Sequence, residues 1–164
     1  MKYTGLQLSA MTALAIFASS VDGECDDKEM QIIFGHLGAY ILSENERKAI
    51  ITRALLIPFD EATGIVRQMN ISQKRHFCAF LGVIILADGV ITNSELQFWK
   101  ELTYVADLPI MSISEAAQIF FENMGLSSQK NTSYSSGTGN TGCCIVLAIP
   151  IIIIFLALSI SYYA

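Results

Sequence analysis

The sequence Val-Asp-Gly-Glu-Cys-Asp-Asp-Lys-Glu at residues 21–29 is echoed, sixty-six positions later, by Ala-Asp-Gly-Val-Ile-Thr-Asn-Ser-Glu at residues 87–95. Each copy follows one apolar run and precedes another, and each is followed by a Ser-x-x-Glu sequence, at Ser43 and at Ser112. A sequence unit that recurs at a fixed period is typical of one supersecondary unit used twice. The repeat therefore predicts a core in which two related helical hairpins pack together.

The spacing of apolar residues predicts an all-α domain of seven helices. Apolar side chains recur three and four residues apart, as at Phe77, Phe80, Leu81 and Ile84, which gives each helix a face for the core. No segment shows the two-residue alternation of a strand bounded by hairpin turns. The predicted helices cover residues 6–20, 28–40, 44–56, 61–69, 73–87, 94–106 and 113–124.

Signals for helix starts and ends agree with these helices. A short polar residue followed three positions later by Glu is typical of a capping box, in which each side chain accepts from a backbone amide of the other residue. The glycine of each Asp-Gly pair suits the left-handed backbone that follows a helix end. The predicted capping boxes are Asp26 with Glu29, Ser43 with Glu46, Thr92 with Glu95, and Ser112 with Glu115.

Charge is unevenly distributed along the 164 residues. The net charge is -5, and no Asp, Glu, Lys or Arg follows Lys130. A nucleic-acid partner is not expected, because a face that binds phosphates needs a surplus of Lys and Arg. Several basic residues are scattered among the predicted helices and are expected on solvated faces: Lys48, Arg53, Arg67, Lys74 and Arg75.

The last part of the chain predicts a membrane anchor. Residues 143–160 are apolar apart from Ser159, and eighteen residues at helical rise span about 27 Å, enough to cross the hydrocarbon core of a bilayer. Residues 127–142 are rich in Ser, Thr, Gly and Asn, which is typical of a flexible linker. We therefore expect a helical domain over residues 1–126, a linker over 127–142, and one transmembrane helix that forms a tail anchor over 143–163.

This layout predicts a single-pass membrane protein whose N-terminal domain lies on the cytoplasmic side. Lys130, ahead of the span, agrees with the positive-inside tendency. The four cysteines form no CxxC pair, which is typical of a reduced compartment. Cys143 and Cys144 abut the span, where they are either acylated or simply small residues at its start. The expected partners are the membrane, through residues 143–163, and proteins at the membrane.

The N-terminus has two interpretations. Lys2, the apolar run over residues 6–17 and the small residues 18–20 resemble a secretory leader. Cleavage there would make the chain an exported type I membrane protein. The repeat favours a retained helix, because this segment holds the place of residues 72–87 in the second copy. Polar residues also interrupt the run at positions consistent with one polar helix face, namely Gln7, Ser9 and Thr12.

A family resemblance rests on the second copy and the residues after it. These are Phe-Leu-Gly-Val-Ile-Ile-Leu-Ala-Asp-Gly-Val-Ile-Thr-Asn-Ser-Glu at residues 80–95, then Leu102, Ala106 and Ser-Ile-Ser-Glu at residues 112–115. The pattern resembles the TerB-like family, small helical domains named for tellurite resistance. The resemblance covers about residues 5–125. The first copy matches less closely, with Cys25 where the second copy has Ile91.

The resemblance implies a fold of about seven helices in two related halves. It also implies acidic clusters that bind divalent metal, and a role in stress responses, often at the membrane. Similar domains sit beside membrane segments in co-chaperones of the DnaJ class, although the His-Pro-Asp signature of a J-domain is missing from this sequence. The chain departs from the soluble form of the family because it carries its own predicted span.

Candidate metal ligands lie in and around the two Asp-Gly turns. Carboxylate oxygens are the ligands that Ca²⁺ and Mg²⁺ prefer, although the spacing is not that of an EF-hand loop. Helix capping is the favoured interpretation, because the second copy keeps only the two acids that a cap needs. A site shared between the two copies stays open as an alternative. The candidate ligands are Asp22, Glu24, Asp26, Glu29, Asp88 and Glu95.

Other reactive side chains are predicted to be structural. His36 and His76 each lie on a predicted helix with no Cys or Glu at ligand spacing, which is typical of structural histidines. Cys78 lies on an apolar helix face without a recognisable base, so we expect a small core residue. Phe98 and Trp99 are expected in the core. No residue pattern predicts an enzyme or a bound cofactor, apart from a divalent metal ion.

The sequence thus predicts a membrane-tethered helical module that binds or scaffolds other proteins, in a metal, tellurite or envelope stress response. One alternative is a divalent-metal sensor in which the acidic loop at residues 22–29 supplies the ligands. The other is the exported type I membrane protein with a cleaved leader.

Overall fold

The computed structural model describes residues 2–21, 23 and 27–125. Over these residues the chain forms seven α-helices and no strand, which confirms the predicted all-α class. Every predicted helix is present, with ends that differ by at most two residues. The helices are α1 Gly5–Ser19, α2 Asp27–Gly38, α3 Glu44–Ala54, α4 Phe59–Arg67, α5 Ile71–Ile85, α6 Asn93–Val105 and α7 Ile113–Asn123.

Reciprocal capping boxes begin most of these helices. The predicted boxes at Ser43, Thr92 and Ser112 are confirmed, each with Glu as the returning side chain. Two further capping boxes begin at Thr4 and Asn70, and in both the residue three positions later is Gln. A sequence search for Glu at that position misses them. The box predicted between Asp26 and Glu29 lies partly outside the described residues. After α5, the backbone at Gly89 is left-handed, with φ of 83°.

The internal repeat is visible in the lengths and starts of the helices. Helices α1 and α5 have 15 residues each and start at residues 5 and 71. Helices α2 and α6 start at residues 27 and 93 with 12 and 13 residues, and α3 and α7 have 11 residues each. In both halves the third helix packs on the first, α3 on α1 and α7 on α5. The two halves thus share the order of three helices, and α4 lies between them along the chain.

Helix α1 lies at the centre of the fold. Every residue from Leu8 to Ala15 is buried, and α1 contacts α2, α3, α4, α5 and α6. The predicted polar face is wrong, because Ser9 and Thr12 are each only 1% exposed. The hydroxyl of Ser9 donates to the carbonyl oxygen of Gly5 at 2.9 Å, so a polar side chain is accommodated within the core. Burial on all sides explains why the segment lacks an amphipathic pattern.

A buried lysine ties α5 to the loop after α6. The Nζ atom of Lys74 donates to the backbone oxygen and to Oδ2 of Asp107, at 2.8 Å each. Lys74 is 5% exposed, so the solvated position expected from its sequence is wrong. The hydrogen bond from Lys74 lowers the pKa of the Asp107 carboxyl, and Asp107 itself has a left-handed backbone with φ of 51°. This contact holds the turn between α6 and α7 against α5.

The predicted linker over 127–142 and the predicted span over 143–163 lie outside the described residues. Among the helices that the structure does describe, none combines the length and the apolar character needed to cross a bilayer.

Helices α5 and α7 approach closely at Gly82. A Cβ atom at this position would lie 2.8 Å from the backbone nitrogen of Ala117 and 2.9 Å from the backbone oxygen of Ile113. Both neighbours are backbone atoms of α7, so they cannot move aside without shifting the helix. Gly82 therefore sets the distance between the two helices.

We expect Gly82→Ala to lower the free energy of unfolding by about 1–3 kcal/mol, because the added methyl overpacks the contact. Gly64→Ala is the matched control, since a Cβ at Gly64 in α4 meets nothing within 4 Å. The control should instead stabilise by up to about 1 kcal/mol through helix propensity. Chemical denaturation of both variants, followed by circular dichroism, measures the difference. Equal free energies of unfolding for the two variants would contradict the close packing of α5 on α7 at Gly82.

Candidate functional site

The acidic residues predicted as metal ligands divide into two groups. Asp22, Glu24 and Asp26 lie outside the described residues. Glu29 lies in the first turn of α2, where a carboxylate is favoured by the positive end of the helix. Across the described ranges, no three His, Cys, Asp or Glu side chains gather as metal ligands.

The two acids of the second copy have local hydrogen-bond partners. The Oδ1 atom of Asp88 accepts from the backbone amide of Val90 at 2.9 Å. The Oε2 atom of Glu95 accepts from the amide and the hydroxyl of Thr92, at 2.7 and 2.9 Å. Glu95 is buried, and its carboxylate caps α6 by accepting from the backbone amide of Thr92. Capping thus accounts for Glu95, and an Asx-type turn accounts for Asp88.

A different cluster lies where α2 packs on α5, and we call it the His–His–Tyr cluster. It consists of His36, Tyr40 and His76. The Nε2 atoms of the two histidines are 3.3 Å apart. The Tyr40 hydroxyl lies 3.2 Å from Nε2 of His36 and 3.3 Å from Nε2 of His76. Three polar atoms thus form a nearly equilateral triangle.

Aromatic packing fixes the orientation of these rings. His36 stacks on Phe80, with ring centroids 3.7 Å apart and planes within 13°. Tyr3 meets the edge of Tyr40 at 5.7 Å and lies 5.9 Å from the His76 ring. Tyr3 comes from the segment just before α1 and donates a long hydrogen bond of 3.5 Å to the backbone oxygen of Gln73. The cluster is therefore built from α2, α5 and the N-terminal segment together.

A small apolar cluster lies beside the His–His–Tyr cluster. It is formed by Leu8, Leu37 and Ile50, one residue from each of α1, α2 and α3. Tyr3 and Tyr40 both pack against it. The tyrosine rings are thus held between the polar triangle and apolar side chains, which limits how far the Tyr40 hydroxyl can move.

Burial keeps the groups of the His–His–Tyr cluster neutral near pH 7. It lowers the pKa of His36 to about 3, with a smaller effect from His76, and it also lowers the pKa of His76. Burial raises the pKa of Tyr40 to about 12. The pKa of Tyr3 is raised too, by burial and then by Tyr40. The triangle is therefore composed of neutral imidazoles and a neutral phenol.

Hydrogen bonding among these neutral groups is incomplete. The Nε2 atom of a neutral imidazole either donates one proton or accepts through one lone pair, and a phenol supplies one proton. Whichever tautomers are present, at most two of the three close contacts are full hydrogen bonds. The third contact brings two polar atoms together without a shared proton. A cation at the centre would instead use one lone pair from each of the three atoms.

The sequence interpretation of the histidines was incomplete. His36 and His76 are separated by 40 residues and are each predicted from sequence to be structural, yet their Nε2 atoms are in contact. They do not occupy equivalent positions of the repeat, so periodicity gives no signal. The available local signal was Tyr40, four residues after His36, which is one helical turn.

The other side chains considered from sequence lie in the core. Cys78 is fully buried, and burial raises the pKa of its thiol to about 12. Trp99 is buried and donates from Nε1 to the backbone oxygen of Met111 at 3.0 Å, while Phe98 is partly buried against the same core. Their predicted roles as core residues are confirmed.

Comparison with known proteins identifies the fold and no function. No protein-family model matches the chain, and no curated protein matches it. The fold is similar to the crystal structure of a protein of unknown function from Porphyromonas gingivalis W83, with a TM-score of 0.63 and 22% sequence identity. The match covers 73% of this chain and 91% of that chain. The resemblance to the TerB-like family stays a prediction.

The buried histidines make stability depend on pH. The pKa of His36 is about 3 in the folded chain against an ordinary 6.5, so the unfolded chain binds the extra proton as pH falls below 6.5. Stability is full above 6.5 and declines towards pH 3. Between pH 7 and pH 5 we expect His36 to account for a loss of about 2 kcal/mol. Chemical denaturation at several pH values measures this loss.

His36→Gln is the control for this pH dependence, because its side chain does not titrate. Its stability should change less between pH 7 and pH 5 than that of the parent. This window lies above the titration of Glu46 and Glu115, whose carboxyl pKa values are lowered by hydrogen bonds from Ser43 and Ser112. Identical pH profiles for parent and variant would show that His36 is not buried as described.

Proposed function

We propose that the chain is a membrane-tethered helical module that binds or scaffolds other proteins in a metal-related or envelope stress response. The observation that carries the proposal is the apolar run over residues 143–160, which follows a polar segment and has no charged side chain. A run of this length and composition is typical of a transmembrane helix.

The predicted tether would confine the helical domain near the bilayer. A flexible chain of sixteen residues, the number in segment 127–142, would have a root-mean-square length of about 22 Å. Confinement to this distance raises the effective concentration of the domain for a partner in the same membrane. Weak contacts between the domain and such a partner would then be enough for the two to associate. The TerB-like resemblance supports a stress response as the setting.

The position of α1 supports a retained N-terminus over a cleaved leader. Cleavage after Ser20 would remove the helix whose residues 8–15 are all buried, and would remove Tyr3 from the His–His–Tyr cluster. The five helices that contact α1 would lose their common neighbour. The anchored module is therefore favoured over the exported type I membrane protein.

A metal sensor built on the acidic loop at residues 22–29 receives less support. Asp88 and Glu95, its counterparts in the second copy, have their carboxylates engaged in local turns. No described observation favours metal ligation at the loop itself, so we do not propose it as a second function.

Deletion of residues 143–164 tests the anchor. We expect the truncated chain to move from the membrane fraction to the soluble fraction, because the apolar run is removed. Deletion of residues 127–142 is the matched control, and that variant should stay in the membrane fraction and resist alkaline extraction. Fractionation followed by immunoblotting measures both. A truncated chain that still sediments with membranes would contradict the proposed tail anchor.

A further inference from the structure

The geometry points to a binding site for one four-coordinate transition-metal ion of the zinc class, held by Nε2 of His36, Nε2 of His76 and the hydroxyl oxygen of Tyr40. The inference goes beyond the proposed function and does not depend on the membrane anchor. It is also distinct from the acidic loop, since it uses none of the predicted carboxylates.

The distances within the triangle fit a tetrahedral ion. Zinc binds imidazole nitrogen at about 2.0–2.1 Å, so two donors of a tetrahedron lie about 3.3–3.4 Å apart. An octahedral ion with bonds of the same length would require neighbouring donors about 2.9 Å apart. The separations of 3.3, 3.2 and 3.3 Å match the tetrahedral value. Three donors at these separations can form one face of a tetrahedron, which leaves the fourth position for water or another ligand.

The chemistry of the donors favours a transition metal over Ca²⁺ or Mg²⁺. Imidazole nitrogen suits zinc, copper and nickel, whereas Ca²⁺ and Mg²⁺ prefer an all-oxygen set. An ion would bind the tautomer of each ring that carries its proton on Nδ1, because that tautomer leaves the lone pair on Nε2.

The site is held in place before an ion arrives. Stacking on Phe80 fixes the plane of the His36 ring, and the Tyr3 ring supports both Tyr40 and His76. Ligands whose orientation is fixed by packing lose little freedom when they bind. Tyr40 and His76 are only partly buried, so an ion can reach the triangle from solvent.

Zinc and cobalt titrations of the full-length protein in detergent test the proposal. The parent for the test carries Cys25→Ser, Cys143→Ser and Cys144→Ser, because thiolates would compete for both ions. We expect one ion per chain by calorimetry. Bound Co²⁺ should show the intense visible absorption of a four-coordinate site instead of the weak bands of a six-coordinate one.

Two variants remove single ligands with little loss of packing. Tyr40→Phe deletes only the hydroxyl, and His76→Gln deletes a ring that is partly buried. Each should weaken binding by at least about 100-fold, since loss of an outer-shell partner alone lowers metal affinity 10–100-fold. Tyr104→Phe is the matched control, because it removes a hydroxyl from a side chain that is 87% exposed. Its affinity should equal that of the parent.

Three results would overturn the proposal. One is the lack of any binding by the parent at millimolar metal. Another is an unchanged affinity in both Tyr40→Phe and His76→Gln. The third is binding that persists in those variants but is lost when Asp22, Glu24 and Asp26 are changed to their amides, which would place the ion at the acidic loop. These measurements of metal binding do not depend on whether deletion of residues 143–164 releases the protein from the membrane.

Discussion

The enclosure of α1 by five other helices is the constraint on which the rest of the fold depends. Burial of a leucine-sized side chain contributes about 1.5–3 kcal/mol, and α1 buries Leu8, Met11 and Leu14. The buried part of α1 also contains small side chains: Ala10, Ala13, Ala15 and Ala18. Residues 8–15 of this helix therefore present no face to water. Its apolar sequence therefore has a structural cause, although the same composition is also typical of a secretory leader.

The same packing assembles the His–His–Tyr cluster. Helix α1 contacts both α2 and α5, and these two helices carry the facing histidines. The segment that leads into α1 places Tyr3 against Tyr40 and His76. Helix α1 and the segment before it thus add to the stacking of His36 on Phe80 in holding these rings. The integrity of the core and the geometry of the proposed metal site are linked through α1.

Much of the fold could be predicted from the sequence, and the candidate site could not. Capping boxes such as the one at Thr92 are local signals, and the spacing of apolar residues predicts the number of helices and their order. The burial of Lys74 depends on a partner supplied by the rest of the fold, namely Asp107. The contact between His36 and His76 likewise arises only when α2 packs on α5. Local patterns carry no information about such pairs.

Amide hydrogen exchange of the full-length protein tests the central position of α1 most directly. Amides that open only on global unfolding exchange most slowly, and those near a frayed surface exchange fast. The buried core predicts that residues 8–15 and the buried part of α5 are the most slowly exchanging amides among the residues that the structure describes. Exchange of residues 8–15 at the rate of exposed loops would contradict it, because α1 would then be a peripheral segment.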